Sequence, residues 1–221
     1  MSIEIKKRLL TSLFLLSLLT TMYLYSFVMI ISLIIIAIIV WIEFYALISK
    51  IIRNDSFEDM LFRFLYKTIS LIYLFLLVYL IFAIESYYPK LKIYLLYSVS
   101  VAILSDTGGL VFGKIFKGKK LTKISPNKTI SGSIGSFIFS LSLIFFFYEE
   151  LIEHDLIILT LITILISLST QLGDLFISYL KRKAKVKNTS DILPGHGGFL
   201  DRVDGIIFAI PVGITLFKFL I

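Results

Sequence analysis

The chain has 221 residues, of which 58% are hydrophobic and only 17% charged, with a mean hydropathy of +0.96. Soluble domains hold roughly 45–50% apolar and about 25% charged residues, so an ordinary water-soluble globule is excluded. The absence of cysteine excludes a disulfide framework, a thiol nucleophile and a thiolate-held metal centre. The formal charge of +7 would suit a nucleic acid. Polytopic proteins gather Lys and Arg on their cytoplasmic loops, however, and a lipid bilayer rather than nucleic acid is the simpler partner.

In chain order, Glu4 to Arg8 forms a basic flank to the apolar run Leu9 to Tyr25. No A-x-A-like cleavage site follows and hydrophobicity resumes from Phe27, so a retained anchor is expected instead of a cleaved signal peptide. Two spans fit between Leu9 and Ile48, with a break near Tyr25 and Ser26, and the polar linker Lys50 to Met60 closes this hairpin. Further apolar runs occupy Phe64 to Ile84, Leu91 to Phe112, Ile134 to Tyr148, Leu156 to Leu180 and Gly205 to Ile221. At about 20 residues per span, the sequence predicts an all-α, polytopic integral membrane protein of about seven transmembrane helices with short loops. It forms a single membrane domain: an N-terminal hairpin and linker over 1–60, and a transmembrane region over 61–221 that carries the chemistry.

With the N-terminus inside, nineteen of the 22 cations fall on the cytoplasmic side. The other side keeps Lys90, Lys92 and Lys218 and the acidic turn Glu149, Glu150, Glu153 and Asp155.

A carboxylate at membrane depth costs roughly 2.5–3.5 kcal/mol even on the lenient insertion scale and usually faces a protein-lined, hydrated or liganded cavity, so Asp106, Asp174 and Asp204 need explaining. On the sixth run Ser167, Thr170, Gln171, Asp174, Ser178, Lys181 and Arg182 share one helical face. The fourth run carries a stripe of small residues, Ser98, Ala102, Ser105, Asp106, Gly109 and Gly113, that suits close packing or close approach to a ligand. Two loops stand out. The first is lysine-rich and ends Ser125-Pro126-Asn127-Lys128-Thr129 before Ser131, Gly132 and Ser133 open a helix, an arrangement suited to an anion at the helix N-terminus. The second holds Pro194-Gly195-His196-Gly197-Gly198 and then Asp201-Arg202-Val203-Asp204, whose glycines allow either a backbone cradle for a phosphate or a plain tight turn. Asp201 and Asp204 share one face if a helix begins there.

Carboxylates, clustered cations and Gly-rich turns, with no catalytic triad, are the parts of phosphoryl or nucleotidyl transfer. Oxygen ligands favour magnesium, and two histidines, His154 and His196, without cysteine argue against zinc. The stretch Gly108 to Lys114 mimics a P-loop, but Ile115 stands where a magnesium-binding Ser or Thr is required and no strand precedes it.

The run Ser178-Tyr-Leu-Lys181-Arg182, Lys187-Asn188-Thr-Ser190 and Leu193-Pro194-Gly-His196-Gly197-Gly198-Phe-Leu-Asp201-Arg202-Val-Asp204 resembles the signature of phosphatidate cytidylyltransferases, also called CDP-diacylglycerol synthases. Gln171-Leu-Gly173-Asp174, Asp106-Thr107 with Gly113, and Ser125 to Thr129 before Gly132 resemble the family's other marks. The likeness covers the C-terminal half, and the N-terminal half only by hydropathy. It implies that CTP and phosphatidate are converted to CDP-diacylglycerol and pyrophosphate in phospholipid biosynthesis, at a bacterial-type plasma membrane, with the active site facing the cytoplasm. By that resemblance Asp174 and Asp201 hold the catalytic Mg2+, a second cation being left open, and Lys181 and Arg182 steady phosphate charge. Asp106, Lys128, Ser178, His196, Gly197, Gly198, Arg202 and Asp204 are expected to contact substrate, and a homodimer is left open. Two positions depart from the pattern. Asn188 stands where the family usually has Asp, placing an amide oxygen at an expected metal or water ligand, and Ser131 stands where many members have Glu.

Three rival functions share parts of this inventory. A CTP-dependent polyprenol or phytol kinase shares the nucleotide and the membrane. A CDP-alcohol phosphotransferase lacks support because Asp204-Gly205 is not followed by that family's Ala-Arg and spaced aspartates. An anion transporter would show two similar halves with broken spans, and no such symmetry is visible.

Overall fold

The computed structural model of the protein describes residues 3–54, 56–151 and 155–220, with all side chains but those of residues 3, 4, 7 and 8. The side chains of Glu4, Lys7 and Arg8 and all of Glu153 and His154 thus lie outside the described residues. The helices are α1 (Ile3–Leu24), α2 (Ser26–Ile51), α3 (Phe57–Tyr87), α4 (Lys92–Phe116), α5 (Ile130–Phe146), α6 (Tyr148–Leu151), α7 (Leu156–Lys183), α8 (Leu200–Val203) and α9 (Ile206–Leu220), with a 3₁₀ turn at Pro89–Leu91. Among the described residues the only β pairing consists of two isolated bridges, Lys120 with Thr129 and Leu193 with Gly197. Among the described residues each expected apolar run is helical over most of its length, with the Ile134 to Tyr148 run interrupted at Phe147 between α5 and α6.

Among the described residues five segments are long and apolar enough to cross a membrane: Ser26–Ile51, Phe57–Tyr87, Pro89–Phe116, Leu156–Lys183 and Leu200–Leu220. The other two expected spans are shorter apolar helices, Leu9–Leu24 and Ile130–Phe146. The protein is thus an all-α integral membrane protein, with five segments of full spanning length where the hydropathy pattern suggested seven. The break between the first two runs is a single extended residue, Tyr25, at φ −127° and ψ 104°.

The chain divides into two compact units, Met1–Glu85 with Leu180–Val203, and Ser86–Tyr179 with Asp204–Ile221. In the second unit Tyr97, Val101, Ala102, Ile162, Ile166 and Ala209 are fully buried. Phe217 stacks on Tyr94 at 4.4 Å between centroids and meets Tyr97 edge-on at 5.7 Å. Lipid supplies little hydrophobic drive between helices, so small residues and hydroxyls make the contacts. A Cβ at Gly108 or Gly135 would run into the facing helix, so α4 and α5 pack backbone to backbone. Buried hydroxyls tie the layers: Tyr97 OH lies 2.6 Å from Thr163 Oγ1, Ser105 Oγ 2.9 Å from Ser167 Oγ, and Ser136 Oγ donates to Ser105 O at 2.7 Å. The small-residue stripe of α4 is therefore largely a packing face. In the first unit Val40, Leu47 and Ile48 of α2 and Leu77, Ile81 and Ile84 of α3 are buried.

Candidate functional site

In the second unit α4, α5, α7 and the lysine-rich loop surround a cleft of about 180 Å³, lined by Asp106, Lys128, Gln171 and Asp174 among others. Small-molecule pockets usually enclose roughly 300–1,000 Å³, so this one has room for a phosphate-sized group and not for a whole nucleotide. Thr129 caps α5 with its hydroxyl, which accepts from Gly132 N at 3.0 Å, and this brings the helix N-terminus and Lys128 to the same wall. The α7 polar face supplies the other wall: Asp174 pairs with Lys128 and accepts from Ser178 Oγ at 3.3 Å. Ser133 Oγ donates to Gln171 Oε1 at 2.6 Å, while Gln171 Nε2 is buried without a hydrogen-bond partner. A buried unsatisfied donor costs about 1–3 kcal/mol, which a ligand oxygen in the cleft would recover.

The Lys128 and Asp174 side chains are 25% and 27% exposed. Pairs with this much water contact contribute about 0–1 kcal/mol, so the pair is easily opened and each charge is available to a ligand. Among the described residues no group of three or more His, Cys, Asp or Glu could hold a metal ion by itself. The cleft offers two carboxylates, Asp106 and Asp174, with the Gln171 amide and the hydroxyls of Thr129, Ser133 and Ser136. Magnesium usually takes one or two protein carboxylates and completes its shell with water and substrate phosphates. The donor set therefore fits magnesium arriving with a polyphosphate.

In the first unit Asp201 organises the loop that follows α7. Its Oδ1 accepts from Lys181 Nζ at 2.6 Å; its Oδ2 accepts from Thr189 N at 2.8 Å and Gly198 N at 3.1 Å, and Thr189 Oγ1, whose one proton is shared with Glu43 Oε2, lies 3.0 Å from it. These donors crowd Oδ2, while Oδ1 holds only the Lys181 ammonium. Asn188 is exposed and lies against Gly197: a Cβ on that glycine would stand 3.2 Å from Asn188 Cγ and 2.9 Å from Asp201 Oδ2. At φ +83° Gly197 also needs the left-handed conformation that glycine adopts freely.

The Pro194–Gly198 stretch is a tight turn. Leu193 N donates to Gly197 O at 2.8 Å, and His196 N and Gly197 N donate to Leu193 O at 2.9 and 3.1 Å. With Gly198 N on Asp201, the N–H groups of residues 196–198 are used within the loop, so they form a turn and not an open phosphate cradle. His196 O accepts from Arg202 Nη2 at 2.6 Å, His196 Nε2 lies 3.4 Å from Ser12 Oγ, and Thr11 Oγ1 donates to Pro194 O at 2.9 Å. Arg182 is exposed. Helix α8 begins at Leu200 and ends at Val203; Asp204, buried in the second unit, accepts from Gly205 N at 2.9 Å.

Asp106, Lys128 and Asp174 thus meet in one unit, and Lys181, Asn188, Gly197, Gly198 and Asp201 in the other. The sequence reading missed Glu43 of α2. Its carboxylate is 2% exposed and accepts four hydrogen bonds from residues 189–200. The signal was available, since Glu43 stands within the apolar run Val40-Trp-Ile-Glu-Phe-Tyr-Ala-Leu47.

A phosphatidate cytidylyltransferase of Staphylococcus haemolyticus is 44% identical to this chain over 122 residues, covering 54% of this chain and 46% of the relative. The enzymes of the same name from Staphylococcus saprophyticus and Staphylococcus aureus are 43% and 44% identical with the same coverage. The chain spans about half the length of these curated relatives. The model of the cytidylyltransferase family matches residues 2–220, including the N-terminal helices that hydropathy alone had linked to it, and the chain therefore belongs to that family.

Proposed function

We propose that this chain transfers the cytidylyl group of CTP to phosphatidate, forming CDP-diacylglycerol and pyrophosphate. The observation that carries this reading is the cleft in which Lys128, the α5 N-terminus and the unpartnered Gln171 Nε2 face the carboxylates Asp106 and Asp174. Donors of this kind take phosphate oxygens, and the carboxylates take the metal that accompanies them. The name shared by the staphylococcal relatives supplies the substrate pair.

In this reading Asp174 and Asp106 hold Mg2+ with the nucleotide. Bound there, the metal supplies Lewis-acid polarisation and charge neutralisation. Lys128 exchanges its carboxylate partner for a phosphate oxygen. Asp201 orients Lys181, whose ammonium steadies phosphate charge with Arg182 beside it on the last turn of α7. A phosphate oxygen of the lipid attacks the α-phosphorus of CTP, the bond to the bridging β-oxygen breaks, and pyrophosphate leaves with that electron pair. No protein nucleophile is required.

The test is purified protein in detergent with phosphatidate, Mg2+ and CTP labelled in either the α- or the γ-phosphate. Label from the α-position should enter lipid while γ-label leaves as pyrophosphate. Label from the γ-position in lipid would make the protein a kinase.

The basic loops belong on the cytoplasmic side of a bacterial plasma membrane in this reading, with α6 on the opposite side. A cysteine placed at exposed Glu150 should react in intact cells with an impermeant thiol reagent. Reaction only after membrane disruption would reverse the orientation.

A further inference from the structure

Glu43 is the polar residue whose place in an apolar helix the proposed chemistry leaves unexplained. Its carboxylate is nearly fully buried in the first unit. Oε2 accepts from Thr189 Oγ1 at 2.8 Å and from Leu200 N at 2.8 Å; Oε1 accepts from Ser190 Oγ at 2.6 Å and from Phe199 N at 3.0 Å. These four donors come from the two ends of one loop, well over a hundred positions along the chain from α2. They include N–H groups that open α8 and would otherwise be buried without an intrahelical acceptor. Gly198 lets the backbone come this close, because any Cβ there would run into the Glu43 carboxylate and the Thr189 hydroxyl.

Thr189 links this clamp to the cation. Its hydroxyl lies between Glu43 Oε2 and Asp201 Oδ2, and its N–H donates to Asp201. Asp201 in turn holds Lys181 Nζ. We propose that Glu43 is a positioning residue for Lys181: by fixing Thr189 and the start of α8 it sets Asp201, and Asp201 aims the lysine. A buried carboxylate needs charge-assisted partners to be tolerated, and such bonds fix geometry more strongly than neutral ones. The inference that this affects turnover rests on the cytidylyltransfer reading; the inference that Glu43 holds the loop and the lysine does not.

The decisive variant is Glu43→Gln, which keeps the side chain's shape but turns an NH2 group toward donors that require an acceptor. Three readouts are made on the same purified protein. Amide hydrogen exchange at Thr189, Phe199 and Leu200 should rise at least about tenfold while the second unit's amides are unchanged. Acylation of the Lys181 amine, followed by mass spectrometry, should accelerate several-fold. The kcat should fall at least about tenfold with the KM for CTP within about twofold, the pattern of an interaction made in the transition state. A purely structural Glu43 would lower the melting temperature and the folded fraction while leaving Lys181 reactivity and kcat per folded molecule as in the wild type, and that result would overturn the proposal. Should the wild type transfer no cytidylyl group, the activity reading fails, and exchange with Lys181 acylation still decides the role of Glu43.

Discussion

Asp174→Asn is expected to lower turnover by more than about a hundredfold while the melting temperature stays close to that of the wild type. The two halves of this expectation come from different magnitudes. The Asp174 ion pair with Lys128 keeps about a quarter of each side chain in contact with solvent, and pairs of that kind contribute about 0–1 kcal/mol to folding. The amide retains the volume and still offers an oxygen to Ser178. What it loses is the negative charge that would hold a magnesium nucleotide, and loss of one charge-stabilising contact in a transition state costs about 3 kcal/mol, or over a hundredfold in rate. A residue that merely packs in the bundle would reverse the pattern, with stability lost and rate spared. Turnover and melting temperature measured on one preparation separate the two, and near-normal turnover in Asp174→Asn would remove the metal assignment.

Lys181→Met should be the second severe variant, and here stability and rate are expected to fall together. The side chains of Lys181 and Asp201 are only 15% and 7% exposed. Removing one partner of a buried pair typically costs about 3–5 kcal/mol, and the value here should lie at the low end because Asp201 keeps the Thr189 and Gly198 N–H donors. The double variant Lys181→Met with Asp201→Asn distinguishes a structural pair from a functional cation. Replacing both partners strands no buried charge, so the melting temperature should recover most of what the single variant lost. If Lys181 neutralises phosphate, turnover of the double variant remains at least about tenfold below the wild type. Recovery of turnover along with stability would show that the lysine serves only to satisfy Asp201.

The helices were legible because a membrane protein writes them in the simplest code, apolar runs of spanning length, and the α1–α2 break at Tyr25 fell where the run is interrupted. Lys128, Asp106 and Asp174 were legible for a related reason: polar groups in or beside apolar helices are expensive, so each one is conspicuous. Their meeting in one cleft was not legible, since it depends on α4 and α5 packing glycine to glycine. Glu43 obeys the same rule as Asp174 and was overlooked because it lies near the end of its apolar run, where a carboxylate can be imagined reaching water. Nothing local announces its partners, because Thr189, Ser190, Phe199 and Leu200 become neighbours of α2 only through the tertiary fold. The Pro194–Gly198 turn shows the opposite difficulty. Composition allowed both a phosphate cradle and a closed turn, and only the hydrogen-bond pattern distinguishes them, with the N–H groups of residues 196–198 already committed.

The proposed chemistry is tested most directly by following oxygen from the lipid. Phosphatidate carrying heavy oxygen in its phosphate is incubated with purified wild-type protein, CTP and Mg2+, and lipid and pyrophosphate are analysed by mass spectrometry. Attack by the lipid phosphate on the α-phosphorus predicts a lipid heavier by one cytidylyl group, with all of the heavy oxygen retained in it and none in pyrophosphate. A lipid heavier by a single phosphate, or one returned unchanged while CTP is hydrolysed, would contradict the assignment of this chain as a cytidylyltransferase acting on phosphatidate.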